Sequence, residues 1–180
     1  MRGRALGVWT AAAAGGGATG WLLGGLLAGS LGWEWVFFIN LPVADLARSI
    51  AFYEAVGATK NDKFSDDTAA CMVLSDVIHV MLLTHDKWKG FTDRAIPDAH
   101  ASAQVLLCLS EDSRQAVDAV VDKAAKAGGQ ADPNAVQDYG FMYGRSYADQ
   151  DGHIWETMWM DPAAVSAGPE AFAADQHQPA

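Results

Sequence analysis

Between Arg4 and Glu34 the chain carries no charge: 29 consecutive residues, Ala5 to Trp33, are apolar, small or weakly polar. That exceeds the ~20 residues a helix needs to cross a bilayer core. Gly16, Gly20 and Gly24 recur at four-residue spacing and Gly25 pairs with Gly29, a pattern that lets helix backbones approach closely in lipid. In water each of these glycines costs a helix about 1 kcal/mol against alanine. The run therefore predicts one apolar, transmembrane-like helix within residues 1–35, with membrane contact through residues 5–33. A secretory signal is the competing reading, with Arg2 and Arg4 as its charged start and Ala28-Gly29-Ser30 as a cleavage region. The run is longer than the roughly 7–15 apolar residues of that class.

Charge divides the chain at the same point. Residues 1–34 hold Arg2, Arg4 and Glu34, whereas the remainder carries 10 basic and 21 acidic residues, which dominates the net charge of −10. About 145 residues then remain, enough for one domain with a proper core. Nucleic acid is excluded as a partner, because phosphate binding needs clustered Lys and Arg and the sequence shows no such patch. Cys71 and Cys108 both stand in apolar, strand-like runs, which reads as buried, reduced thiols.

From Val36 the pattern alternates, with Phe37, Ile39, Leu41 and Val43 on one face and Phe38, Asn40 and Pro42 on the other, a strand signal. Asp45 stands as a helix N-cap before a stripe of Leu46, Ile50, Tyr53, Phe52 and Val56 that ends at Gly57. Residues 68–74 and 77–84 read as two further strands joined at Ser75-Asp76. Sixty-six residues on, the order recurs: Val105, Leu107 and Leu109 alternate with Gln104, Leu106 and Cys108, Glu111 to Ser113 supplies a cap, and Gly128-Gly129 ends a second helix. Strands over about 138–148 and 153–160 follow, joined by Asp149-Gln150-Asp151-Gly152-His153, whose Asp-Gly pair favours a tight turn. Residues 85–100, with Trp88, Phe91 and Pro97, read as a loop that covers a site or makes a contact, and residues 162–180 as a flexible tail.

Two resemblances follow from these residues. Gly15-Gly16-Gly17-Ala18-Thr19-Gly20-Trp21-Leu22-Leu23-Gly24-Gly25-Leu26-Leu27, followed by Gly32-Trp33-Glu34-Trp35-Val36-Phe37-Phe38-Ile39-Asn40-Leu41-Pro42, is similar to a transmembrane helix of drug/proton antiporters of the major facilitator superfamily, over about residues 1–42. Trp21 stands where that motif usually has proline. Such transporters need many helices and this chain offers one candidate, so transport is not expected of this polypeptide; a gene fusion by recombination, or a misassigned start, at that point would each leave the strand pattern intact. The second resemblance covers residues 36–161. The duplicated unit, headed by Asn40-Leu41-Pro42-Val43-Ala44-Asp45-Leu46-Ala47-Arg48-Ser49-Ile50-Ala51-Phe52-Tyr53 and closed by Asp149-Gln150-Asp151-Gly152-His153-Ile154-Trp155-Glu156, resembles the vicinal oxygen chelate superfamily of glyoxalase I, bleomycin-resistance proteins, fosfomycin-resistance enzymes and extradiol dioxygenases. It implies an α+β fold of two βαβββ modules, about 36–100 and 101–161, forming an open eight-stranded cup with a small molecule inside.

Metal-dependent members of that superfamily place donors at positions that become Phe38, Gln104 and Glu156 here, with a fourth near Leu82. Phe38 and Leu82 cannot bind a metal ion. Gln104 and Glu156 form an incomplete set for a divalent ion such as Zn, Ni, Mn or Fe, which generally needs about three protein donors. Glu156 is the candidate catalytic group, as ligand or proton shuttle, and Phe38, Asn40, Gln104, Leu106, Tyr143, Arg145 and Met158 are the candidate cup residues. Arg145 could hold an anionic ligand or pair with a surface acid. His153 reads as a turn residue, His79 as out of register with the cavity face, and His100 as able to swing into the cup. Three functions remain open: a metal-free small-molecule binder of the bleomycin-resistance type, a divalent-metal-dependent enzyme such as a lactoylglutathione lyase-like lyase, an isomerase or a dioxygenase, and a membrane-tethered module linked to drug efflux. The resemblance also implies a homodimer. The acidic domain is expected in the cytoplasm. If the apolar helix inserts, Arg2 and Arg4 would leave the domain on the far side of the membrane.

Overall fold

The computed structural model describes residues 38–167, which form a mixed α+β fold with two sheets. The expected apolar helix, its glycine spacing and the end of the expected tail lie outside the described residues. Among the described residues no helix is long and apolar enough to cross a membrane.

The first unit runs β1 (Phe38–Val43), α1 (Leu46–Val56), β2 (Thr59–Asn61), β3 (Ala69–Val73) and β4 (His79–Thr84), in sheet order β1-β4-β3-β2. β1 and β4 are parallel, and the other pairs antiparallel. A short helix, α2 (His85–Lys89), follows within the segment that the sequence pattern presents as loop. The second unit runs β5 (Leu107–Ser110), α3 (Arg114–Lys126), β6 (Gln130–Ala131), β7 (Gln137–Asp138), β8 (Met142–Ala148) and β9 (Ile154–Met160), in order β5-β9-β8-β6 with β7 also on β8. β7 is a ninth strand beside the eight expected. Residues Pro162–Ala167, expected in a tail, form a helix, α4, with Ala164 buried.

Local chemistry explains these boundaries. Asp45 accepts a hydrogen bond from the backbone of Arg48, capping α1, and Gly57 closes it at φ 118°, a left-handed conformation that glycine adopts without steric cost. α3 is capped by Ser113, the last of the three residues expected to supply the cap, which accepts from the backbone of Ala116. β5 starts at Leu107, so Gln104, Val105 and Leu106 precede the strand.

The helices of the two units touch, and both sheets lay their helix-facing side chains against them. Leu41, Val43, Phe52, Tyr53, Met72, Val80, Leu82, Val121, Ala124, Tyr147 and Trp155 form one buried cluster. Each fully buried side chain of this size stabilises the fold by roughly 1.5–3 kcal/mol. Leu82 is thus a core residue. The rings of Tyr147 and Trp155 stack at 6.4 Å between centroids, and Tyr53 meets Trp155 edge-on at 6.0 Å.

Candidate functional site

Strand parity decides which side chains leave the core. On β1, Leu41 and Val43 pack inward, so Asn40 and Pro42 take the opposite face. On β4, Val80 and Leu82 are buried in the cluster, and His79, Met81 and Leu83 share the other face. His79 therefore has the parity of the cavity-lining residues, contrary to expectation. On β9, Trp155 is in the core and Ile154, Glu156 and Met158 alternate with it, as the sequence pattern predicts.

Four hollows bear on these faces. One of about 150 Å³ lies at the seam between the modules, lined by Asn40, Pro42, Trp88, Pro97, Gln104, Leu107, His153 and Ile154 among others. A groove of about 830 Å³ adjoins it, walled by Arg48, His85, Lys89, Arg94, His100, Asp151 and neighbours. A hollow of about 630 Å³ on the first sheet is lined by Asn40, Phe64, Met81, Leu83 and Phe91. A cavity of about 100 Å³ on the second sheet is lined by Cys108, Asn134, Gly144, Glu156 and Met158.

The structure brings Asn40 and Gln104 to one cavity, and Glu156 and Met158 to another. Leu106 is 48% exposed outside all four, and the side chain of Phe38 lies outside the description. Tyr143 and Arg145 do not present their polar groups to the cup. They share the strand face of the buried Tyr147, where the Tyr143 hydroxyl donates to Asp118 at 2.9 Å and the Arg145 guanidinium donates to Asp118 at 3.0 Å and to Asp132 at 2.6 Å. These contacts hold the Asp118 carboxyl below the usual carboxylate range, first through Arg145 and then through Tyr143. Arg145 borders the small cavity, yet its charge is committed to these acids.

Cys71 is buried as expected, but Cys108 is exposed. Cys108 stands opposite Glu156 in the β5–β9 register, and desolvation followed by the nearby Glu156 charge pushes its thiol above the ordinary value. The metal-donor set does not assemble. Gln104 and Glu156 line different cavities, and among the described residues no three His, Cys, Asp or Glu side chains are placed to hold one ion. The residues present do not fit a divalent metal site of this superfamily.

Sequence reasoning missed the groove. Its cations come from two segments, Arg48 on α1 and Lys89 and Arg94 within residues 85–100, so no single run of basic residues announced them. Trp88 enters the seam from α2, one turn after Thr84 caps that helix by accepting from the Lys87 backbone. His100 lines the groove and is absent from the seam wall. His153 is a turn residue, as expected; its Nε2 lies 2.8 Å from the Pro42 carbonyl, which can only accept, so that nitrogen carries the proton.

A family model described as the Major Facilitator Superfamily matches residues 1–108, a range that includes the whole first sheet. An uncharacterized MFS-type transporter of Mycobacterium tuberculosis, Rv1250, is 46% identical over 52 residues, 29% of this chain and 9% of the transporter. The puromycin resistance protein pur8 of Streptomyces alboniger is 52% identical over 46 residues, 26% of this chain and 9% of that protein. The chain thus spans less than a tenth of the length of these relatives. Among solved structures, the hypothetical protein SA1046 of S. aureus superposes with a TM-score of 0.60 at 24% identity, over 68% of this chain and 92% of that one. A glyoxalase/bleomycin resistance protein/dioxygenase family enzyme of Burkholderia phytofirmans PsJN gives 0.57 at 17%, over 68% and 96%, and a glyoxalase-related enzyme of Fulvimarina pelagi gives 0.58 at 20%, over 68% and 85%. At these identities the likeness establishes the fold. By the match over residues 1–108 the chain belongs to the Major Facilitator Superfamily, and its described residues carry the fold of glyoxalase/bleomycin resistance/dioxygenase proteins.

Proposed function

We propose that this domain binds a small organic molecule in the seam between its two modules, within an open cup and without a metal ion, as a sequestering protein of the bleomycin-resistance kind. The observation that carries the reading is the seam wall, where Trp88, Pro97, Leu107 and Ile154 offer apolar surface and Asn40 and Gln104 offer two amides. A mainly apolar hollow with a few placed polar groups is the usual chemistry of a small-molecule site. Two free thiols suit a reducing compartment, which favours the cytoplasm.

Titration of the full chain with Ni²⁺ and Zn²⁺, followed by calorimetry, tests the metal-free part. No stoichiometric binding that depends on Glu156 is expected. One ion per chain, lost in Glu156→Gln, would replace this reading with a metal-dependent lyase, isomerase or dioxygenase.

The family match favours a second reading, in which the N-terminal segment tethers the domain to a membrane as part of a drug-efflux assembly. Alkaline carbonate washing of membranes from cells that express the full chain decides it. Retention supports a tether, and complete release removes it.

A further inference from the structure

The seam cavity and the large groove share a wall: Pro42, Pro97, Ala99 and His153 line both. Their sizes differ. At about 150 Å³ the seam is smaller than the roughly 300–1,000 Å³ usual for a drug-sized ligand, whereas the groove holds about 830 Å³. An occupant of ordinary size that enters the seam must therefore extend beyond it, and the groove shares four wall residues with the seam where the hollow on the first sheet shares only Asn40.

The two spaces also differ in chemistry. Trp88, Leu107 and Ile154 wall the seam, while Arg48, Lys89 and Arg94 converge on the groove in a chain of net charge −10. Two of the three acids on the groove wall are engaged by their own surroundings. Asp151 accepts from the Ala44 backbone at 2.9 Å, from Ser49 at 2.8 Å and from Arg48 at 3.3 Å, and Asp98 accepts from the His100 backbone at 2.9 Å. Asp93, the third, makes no ion pair among the described residues, and neither does Arg94. Lys89 pairs with Asp86, but the Asp86 side chain is 95% exposed, and such a surface pair yields readily to a better partner.

We propose that the ligand is an amphipathic organic anion, its apolar body against Trp88 and Ile154 and its acidic group in the groove beside Arg94 and Lys89. This rests on the seam being the binding site, and one experiment separates the two claims. The full chain is titrated at low ionic strength with two fluorescent probes of related ring structure, the anionic anilinonaphthalene sulfonate and the uncharged phenylnaphthylamine. The sulfonate is expected to bind about tenfold tighter, the scale of one charge-assisted hydrogen bond. The preference should shrink with added salt. It should vanish in Arg94→Ala combined with Lys89→Ala and survive in Lys60→Ala, which lies outside the groove. Equal affinity for the two probes, or a preference that the paired substitution leaves intact, overturns the anion while sparing the seam. Ser102→Trp, which fills the seam, should abolish both signals. Failure of both probes to bind saturably, or binding that Ser102→Trp leaves unchanged, overturns the seam and the anion together. Melting curves of each variant confirm that the fold is retained.

Discussion

The phenol of Tyr53 donates to Oδ2 of Asp149 at 2.7 Å across 96 residues of sequence, fastening the helix of the first module to the closing turn of the second. The same phenol accepts from Trp155 Nε1 at 3.0 Å. Burial, then the neighbouring Asp149 charge, drives the Tyr53 hydroxyl well above its ordinary value, so it stays protonated and donating. Tyr53→Phe strands the indole N–H and takes a donor from Asp149 in a dry interior. It is expected to cost about 2 kcal/mol, read from urea unfolding; a loss below about 0.5 kcal/mol would mean that water replaces the phenol.

Within the second module Asp138 forms a two-pronged pair with Arg114, at 2.8 Å on each oxygen. The Arg114 guanidinium holds its carboxyl down to about 2. Because the folded value is depressed, the stabilisation is present above the unfolded value near 3.9 and disappears as pH falls toward about 2. The difference in unfolding midpoint between the natural chain and Asp138→Asn should therefore narrow from pH 5 to pH 2.5. A constant difference would assign the stability to something other than the charge.

The two thiols, one on each sheet, should report two different environments. In the native chain an aromatic disulfide reagent is expected to modify Cys108 and to reach Cys71 only after unfolding. Because the nearby Glu156 charge helps to raise the Cys108 thiol, Glu156→Gln should quicken that reaction at neutral pH. Two equally fast thiols would contradict the burial of Cys71.

Two glycines separate conformational cost from crowding. Gly57, at φ 118°, has open space where a Cβ would stand, so Gly57→Ala should cost about 1 kcal/mol. Gly152, at φ 92°, would place a Cβ 2.7 Å from backbone atoms of Ala99 and His100. Gly152→Ala should cost more, about 2–3 kcal/mol, and displace the loop that walls the seam. Thermal unfolding of the two variants compares them directly.

The fold was readable where one periodicity ruled. The β1 and α1 pattern, the Asp45 cap and the Gly57 stop all stand where alternation and capping chemistry predict. The second module was harder, because Glu111, Asp112 and Ser113 each offer a capping oxygen and the structure uses the third. Tyr143 and Arg145 misled for a related reason. They extend the buried face of Tyr147 as a polar end, satisfied by acids on α3 and by Asp132, and no one-dimensional pattern distinguishes that from a polar cavity wall. Glu156 alternates with the buried Trp155 on β9, as strand parity predicts, while the groove was invisible because only folding brings Arg48 to the segment that carries Lys89 and Arg94.

The turn from Asp149 to His153 has one further consequence. Asp149 receives Tyr53, Asp151 receives Ala44 and Ser49, His153 reaches the Pro42 carbonyl, and Gly152 and His153 wall the seam. The segment that joins the halves of the molecule is therefore also the one an occupant would press against. On the proposed reading, occupancy and cohesion would be linked quantities: a molecule lodged in the seam would stabilise the contacts that join the modules, and the melting temperature would rise with its concentration.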